Sequence, residues 1–183
     1  MSEQTHYPVD IAGVKRELRL FQVKPGLRIA ILNILGDTEL VEAAAEALAQ
    51  KTTNLAFDVI VTAEAKSIPL AYAFAVKSNK PYVVLRKDFK PYMGNALSAE
   101  TLSITTGKPQ TLYLDEKDFP LVNGKNILVV DDVISTGSTL EGMKTIIEKA
   151  GGKIIGQAAI FTEGDESDWQ GIISLGHLPL FFD

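Results

Sequence analysis

A chain of 183 residues exceeds the usual size of one domain but falls short of two, so it is read as one domain with a small appendage. Hydrophobic residues at 46% and charged residues at 22%, with no apolar run near the roughly 20 residues that span a bilayer, argue for a globular protein and against a membrane partner. Eighteen Lys and Arg against 23 Asp and Glu leave a net charge of −5, which argues against nucleic-acid binding through a broadly basic surface; the absence of cysteine excludes disulfides, thiolate nucleophiles and Cys-ligated metals. The start, MSEQTHYPVD, is polar and acidic without a basic, apolar-cored leader, and a cytoplasmic location is expected. His6 and His177 lie far apart and offer no metal-ligand spacing.

No repeat or low-complexity linker appears, and strand-like and helix-like segments alternate. After an N-terminal region, TELVEAAAEALAQK predicts a helix over 38–51 with Leu40, Val41, Ala44, Ala47 and Leu48 on one face and Asp37 or Thr38 as N-cap. FDVIVTA at 57–63 suits a strand buried on both faces, IPLAYAFAVKS at 68–78 a helix with Pro69 in its first turn, and PYVVLR at 81–86 the next strand. Residues 87–111 hold Gly94, Asn95, Gly107 and two prolines around the weakly alternating TLSITT, and are read as a flexible, hairpin-like lid. A second unit follows, with a strand at 126–131, a helix at 138–150 ended by Gly151-Gly152, and a strand at 153–162. The fold class expected is α/β, a doubly wound and mainly parallel sheet with helices on both faces.

In such sheets a ligand sits beyond the carboxyl ends of the strands, and the unusual residues gather there. Asp131-Asp132 ends one strand, Glu64-Ala65-Lys66 follows another, and the basic run Arg86, Lys87 and Lys90 follows a third. Ser135, Thr136, Gly137, Ser138 and Thr139 precede a helix, so their amides and hydroxyls suit a monophosphate. The run is neither a Walker loop nor a GxGxxG turn. Two ionised side chains at a buried strand end repel one another and need donors or Mg²⁺, and ribose hydroxyls would supply donors.

VVDDVISTGSTL, at 129–140, closely resembles the phosphoribosyl-diphosphate (PRPP) motif of the type I phosphoribosyltransferases. The remainder is similar to the adenine enzymes and their purine-using relatives, from about residue 22 to the end. Glu64-Ala65-Lys66 matches the pyrophosphate loop, with Lys66 where Arg is usual, and LPLF at 178–181 resembles a C-terminal strand of some members. The resemblance implies transfer of ribose 5-phosphate from PRPP to a purine nitrogen, release of pyrophosphate, Mg²⁺ carried mainly by PRPP, and a homodimer. It implies one phosphoribosyltransferase domain over 1–183, with a hood from about 1–36 plus the C-terminal segment. Lys66, Arg86, Lys87 and Lys90 would hold the diphosphate, Asp131 and Asp132 the ribose hydroxyls, and Ser135 to Thr139 the 5′-phosphate. Gly94 and Gly107 would be points of flexure in the lid.

Departures from the family pattern occur in three further segments. Thr105 stands where adenine enzymes carry a lid glutamate, and Glu100 is the candidate substitute. Ile29 and Ala30 stand where Phe and Arg are common, leaving Ile29 as a base-stacking candidate. Ser135 replaces the aspartate of the hypoxanthine–guanine type, which favours adenine or xanthine and places Ser135 beside the base. Adenine phosphoribosyl transfer is the leading expectation. Xanthine or hypoxanthine transfer, and a non-catalytic PRPP-binding regulator on the same fold, stay open; the regulator is disfavoured by acidity and by the lack of a DNA-binding domain before residue 20.

Overall fold

The computed structural model describes residues 5–102 and 109–182. The chain opens with β1 (His6–Ile11), β2 (Val14–Lys24) and β3 (Leu27–Ile31), which pair antiparallel in order, and β11 (Phe181–Phe182) returns to the outer edge of β3. In β2 the alternation of exposed Glu17 and Arg19 with buried Leu18 and Leu20 gives this sheet one wet and one packed face. The segment LPLF does not form one strand: Leu178 closes β10 (Ile173–Leu178) and Phe181 opens β11, with Pro179, which lacks a ladder donor, between them.

The main sheet is parallel, in the order β10, β9 (Lys153–Glu163), β8 (Asn126–Ile134), β4 (Val59–Ala63), β5 (Tyr82–Leu85). Its strands are short apolar runs because both faces are covered. Ile60, Leu128, Val130 and Ile160 pack with α1 (Thr38–Lys51) and α2 (Ile68–Ser78), whereas Val59, Val61, Val83 and Val129 pack with α4 (Ser138–Lys149). Full burial of each such side chain contributes about 1.5–3 kcal/mol. The second face also takes Ala99 and Leu112 from a hairpin of β6 (Leu97–Leu102) and β7 (Pro109–Leu114), so the arms of the lid segment belong to the core. A four-residue helix, α3 (Phe119–Val122), leads into β8.

Helix α1 spans the expected residues with Asp37 as N-cap, its carboxylate accepting from Leu40 N; Ala45 is buried where Ala47 was expected. Strand β4 begins at Val59, two residues late, and β8 runs three residues past Asp131, since Val133 and Ile134 continue its ladder to β9. From β4 the chain passes outward to β5, then returns to β8 on the other side and continues to β9 and β10. The order therefore reverses between β4 and β8, which opens a crevice at their carboxyl ends.

Candidate active site

Both the aspartates of β8 and the loop after β4 sit at this reversal point. Ser67 Oγ lies 2.5 Å from Asp131 Oδ1 and 3.1 Å from Asp132 Oδ1, and accepts from Asp132 N at 3.1 Å. Lys66 Nζ is 2.8 Å from Asp132 Oδ2 and donates to Leu32 O at 3.2 Å. Oδ2 has no aligned hydrogen-bond donor, so this contact compensates charge without satisfying that lone pair. The repulsion expected at the strand end is thus met by a serine and a lysine from the neighbouring strand's loop. Burial, reinforced by the adjacent Asp132 charge, raises the Asp131 pKa to about 7.

Ser67 was not legible in the sequence. It precedes Ile68-Pro69 and occupies the N-cap position of α2, where a serine is expected to cap, yet its side chain makes no capping bond. Its hydroxyl is committed to the aspartates instead. The one available signal was its place directly after Lys66 in a strand-end loop.

Arg86 Nε bonds to Glu64 Oε2, and Glu64 Oε1 accepts from Lys87 N at 2.9 Å. Hydrogen bonds that Arg86 makes to Glu64 and then Tyr92 hold its pKa above its ordinary value, so it stays cationic. Glu64 therefore ties the basic segment to the loop carrying Lys66. Lys90 stands four residues beyond Arg86, half-buried, at the start of the short turn Pro91–Met93.

Past the aspartates, Ser135 to Gly137 turn the chain into α4. Gly137 has φ +73°, a conformation that favours glycine, and a Cβ built there would lie 3.5 Å from the Trp169 ring. Helix α4 has no side-chain cap at Gly137; the Ser138 amide makes a long bond to Thr136 Oγ1 at 3.5 Å, and the amides after it are left for an anion. Asp131, Ser135, Thr136, Gly137 and Thr139 line one small pocket. Ser138 is held by Thr136, hydroxyl to hydroxyl at 3.1 Å.

Trp169 and Glu163 join this end of the sheet without having been foreseen. Trp169 Nε1 donates to Glu163 O at 2.8 Å, and the Glu163 carboxyl is held above its ordinary pKa by burial, against the pull of His177 and Lys66. His177 is structural: its Nε2 hydrogen-bonds Gly164 O at 3.1 Å and its Nδ1 the Thr162 hydroxyl at 2.9 Å.

The remaining candidates are carried by other elements. Ile29 is half-buried in β3 opposite Phe21 of β2, which supplies an exposed aromatic beside it. Glu100 is exposed in β6 opposite Thr111, and it makes no hydrogen bond to either aspartate. Thr105 and Gly107 lie outside the described residues. Gly94 has φ +60°, and a Cβ there would meet Glu116 Oε2 at 1.9 Å. Among the described residues no cluster of three or more His, Asp or Glu side chains offers a metal site, and no helix is long and apolar enough to cross a membrane.

A model of the phosphoribosyl transferase domain family matches residues 32–169. The chain belongs to this family. The match covers β4 through β9 with the site segments they carry, and leaves out β1, β2, β3, β10 and β11. The purine biosynthesis transcriptional repressor PurR of Bacillus subtilis is 30% identical over 135 residues, 74% of this chain and 47% of the repressor, so the chain spans about half that regulator's length. An adenine phosphoribosyltransferase of Thermosipho africanus is 29% identical over 149 residues, covering 80% of this chain and 84% of the enzyme. The crystal structure of adenine phosphoribosyltransferase from Thermoanaerobacter pseudethanolicus superposes with a TM-score of 0.72 at 23% identity, over 87% of this chain and 95% of that one. The phosphoribosyltransferase fold, with its parallel five-stranded sheet, is therefore established for this chain.

Proposed function

We infer that the protein is a purine phosphoribosyltransferase converting PRPP and a free base, adenine first, to the nucleoside 5′-monophosphate and pyrophosphate. The observation that carries this is the single pocket shared by Asp131 and the uncapped start of α4, which offers a carboxylate and free amides to one ligand. A ribose 5-phosphate has the matching groups, hydroxyls and a phosphate, on one molecule.

The 5′-phosphate rests on residues 135–139 and the ribose hydroxyls on the aspartates. Lys66, Arg86, Lys87 and Lys90 receive the diphosphate as it departs with both electrons of the C1–O bond, stabilising the leaving anion. The purine nitrogen supplies the new bond to C1 and loses its proton to solvent or to Glu100. The substrate's magnesium arrives with PRPP, and carboxylate oxygens at the β8 end suit a hard cation. Residues 87–111 act as the lid that excludes water. Residues 1–36 with the C-terminal segment form the hood, where Ile29 contacts the base beside Ser135. The protein works as a cytoplasmic homodimer, a reading supported by Tyr72 and Val76, exposed together on α2 at 57% and 61%.

A second reading, a PRPP-binding regulator without turnover, is favoured by the similarity to the repressor. The test is incubation with Mg²⁺, PRPP and, separately, adenine, hypoxanthine, guanine or xanthine, quantifying nucleotide and pyrophosphate. AMP from adenine is expected. A nucleotide from another base instead moves the assignment to that base, and PRPP binding without product from any of the four overturns the purine-enzyme reading and leaves the regulator or a different acceptor.

A further inference from the structure

The two aspartates are not equivalent. Asp132 is held through Oδ2, in an ion pair at 2.8 Å with Lys66 Nζ that is not an aligned hydrogen bond, while its Oδ1 lies 3.1 Å from Ser67 Oγ, whose single proton goes to the nearer Asp131 Oδ1. Asp131 Oδ1 receives both the Ser67 hydroxyl at 2.5 Å and Asp132 N–H at 2.9 Å. Two donors on one oxygen fix the carboxylate plane, because rotation about Cβ–Cγ would break both bonds. Asp131 also lines the pocket with Ser135, Thr136, Gly137 and Thr139. Ser67 is itself immobilised, 2% exposed in the tight junction between β4 and α2.

We propose that Ser67 is a positioning residue that locks Asp131 so that its other oxygen takes the ribose hydroxyls, making Asp131 the diol acceptor and Asp132 the anchor held by Lys66. The inference rests on the ribose-phosphate reading given above. A carboxylate fixed before binding loses little freedom when the sugar arrives, so the lock favours affinity. It acts on the sugar alone, since a bare phosphate meets the 135–139 segment and not Ser67.

The test is calorimetric titration of ribose 5-phosphate and, separately, inorganic phosphate into wild type, Ser67→Ala, Ser67→Gly and Ser67→Thr, with thermal melting alongside. Loss of the hydroxyl in the Ala and Gly variants should weaken ribose 5-phosphate about tenfold and leave inorganic phosphate unchanged. The Thr variant, which keeps the hydroxyl, should recover most of the affinity. Unchanged ribose 5-phosphate binding in the Ala and Gly variants overturns the inference, as does an equal loss of both ligands. A wild type that binds inorganic phosphate but not ribose 5-phosphate overturns the ribose-phosphate reading itself, and the inference with it.

Discussion

Asp131 is the residue at which stability and binding pull in opposite directions. Its carboxyl binds a proton more tightly in the folded chain, at about 7 against an ordinary 3.8, because burial and Asp132 oppose its charge. The contribution to stability is therefore fully present below about pH 4 and is lost as the pH rises through about 7. Asp131→Asn removes the charge without changing the shape. The variant should melt at least about 2 °C above wild type at pH 8, with the difference vanishing near pH 4, as read by thermal denaturation at both pH values. The same change should cost ribose 5-phosphate roughly tenfold or more in affinity, since a charged acceptor is replaced by a neutral amide. A strain of this kind, retained at a site and compensated by packing elsewhere, is what a binding role requires.

At the level of elements, the site depends on how β8 passes into α4. The strand carries the aspartates, Gly137 at φ +73° makes the turn, and the helix begins with its amides uncapped. Gly137→Ala forces a Cβ into a left-handed conformation that costs about 1–2 kcal/mol, and the Trp169 ring stands at ordinary contact distance, so steric clash adds little. The expected outcome is a melting temperature lowered by about 2–8 °C together with weaker inorganic phosphate binding, measured by melting and by titration. Unchanged phosphate affinity would dissociate the turn from the anion site. Much at this scale was legible: apolar runs such as VIVTA and NILVV read as doubly covered strands, and the Asp37 cap marked the start of α1. The end of β8 was not, since two charged residues interrupt the apolar run that identifies a buried strand, and the ladder to β9 carries it onward regardless.

For the whole molecule, the parallel order and the reversal between β4 and β8 bring segments more than sixty residues apart into contact, as Ser67 and Asp131 show. That is why the aspartates and the 135–139 segment could be read from local sequence whereas Ser67 could not: the first are contiguous, and the second acquires its role through topology. The N-terminal strands were also missed as strands, although Glu17, Leu18, Arg19 and Leu20 alternate, because the stretch is short and richly charged. This chain spans about half of the repressor PurR but 84% of the Thermosipho adenine enzyme, and turnover is the property that separates the two readings. The most direct measurement follows the phosphorus resonances of PRPP with Mg²⁺, adenine and the protein. PRPP is expected to be replaced by AMP and pyrophosphate in equal amounts, at a rate sharply reduced by Asp131→Asn. Persistence of PRPP, or pyrophosphate appearing without AMP, would contradict it.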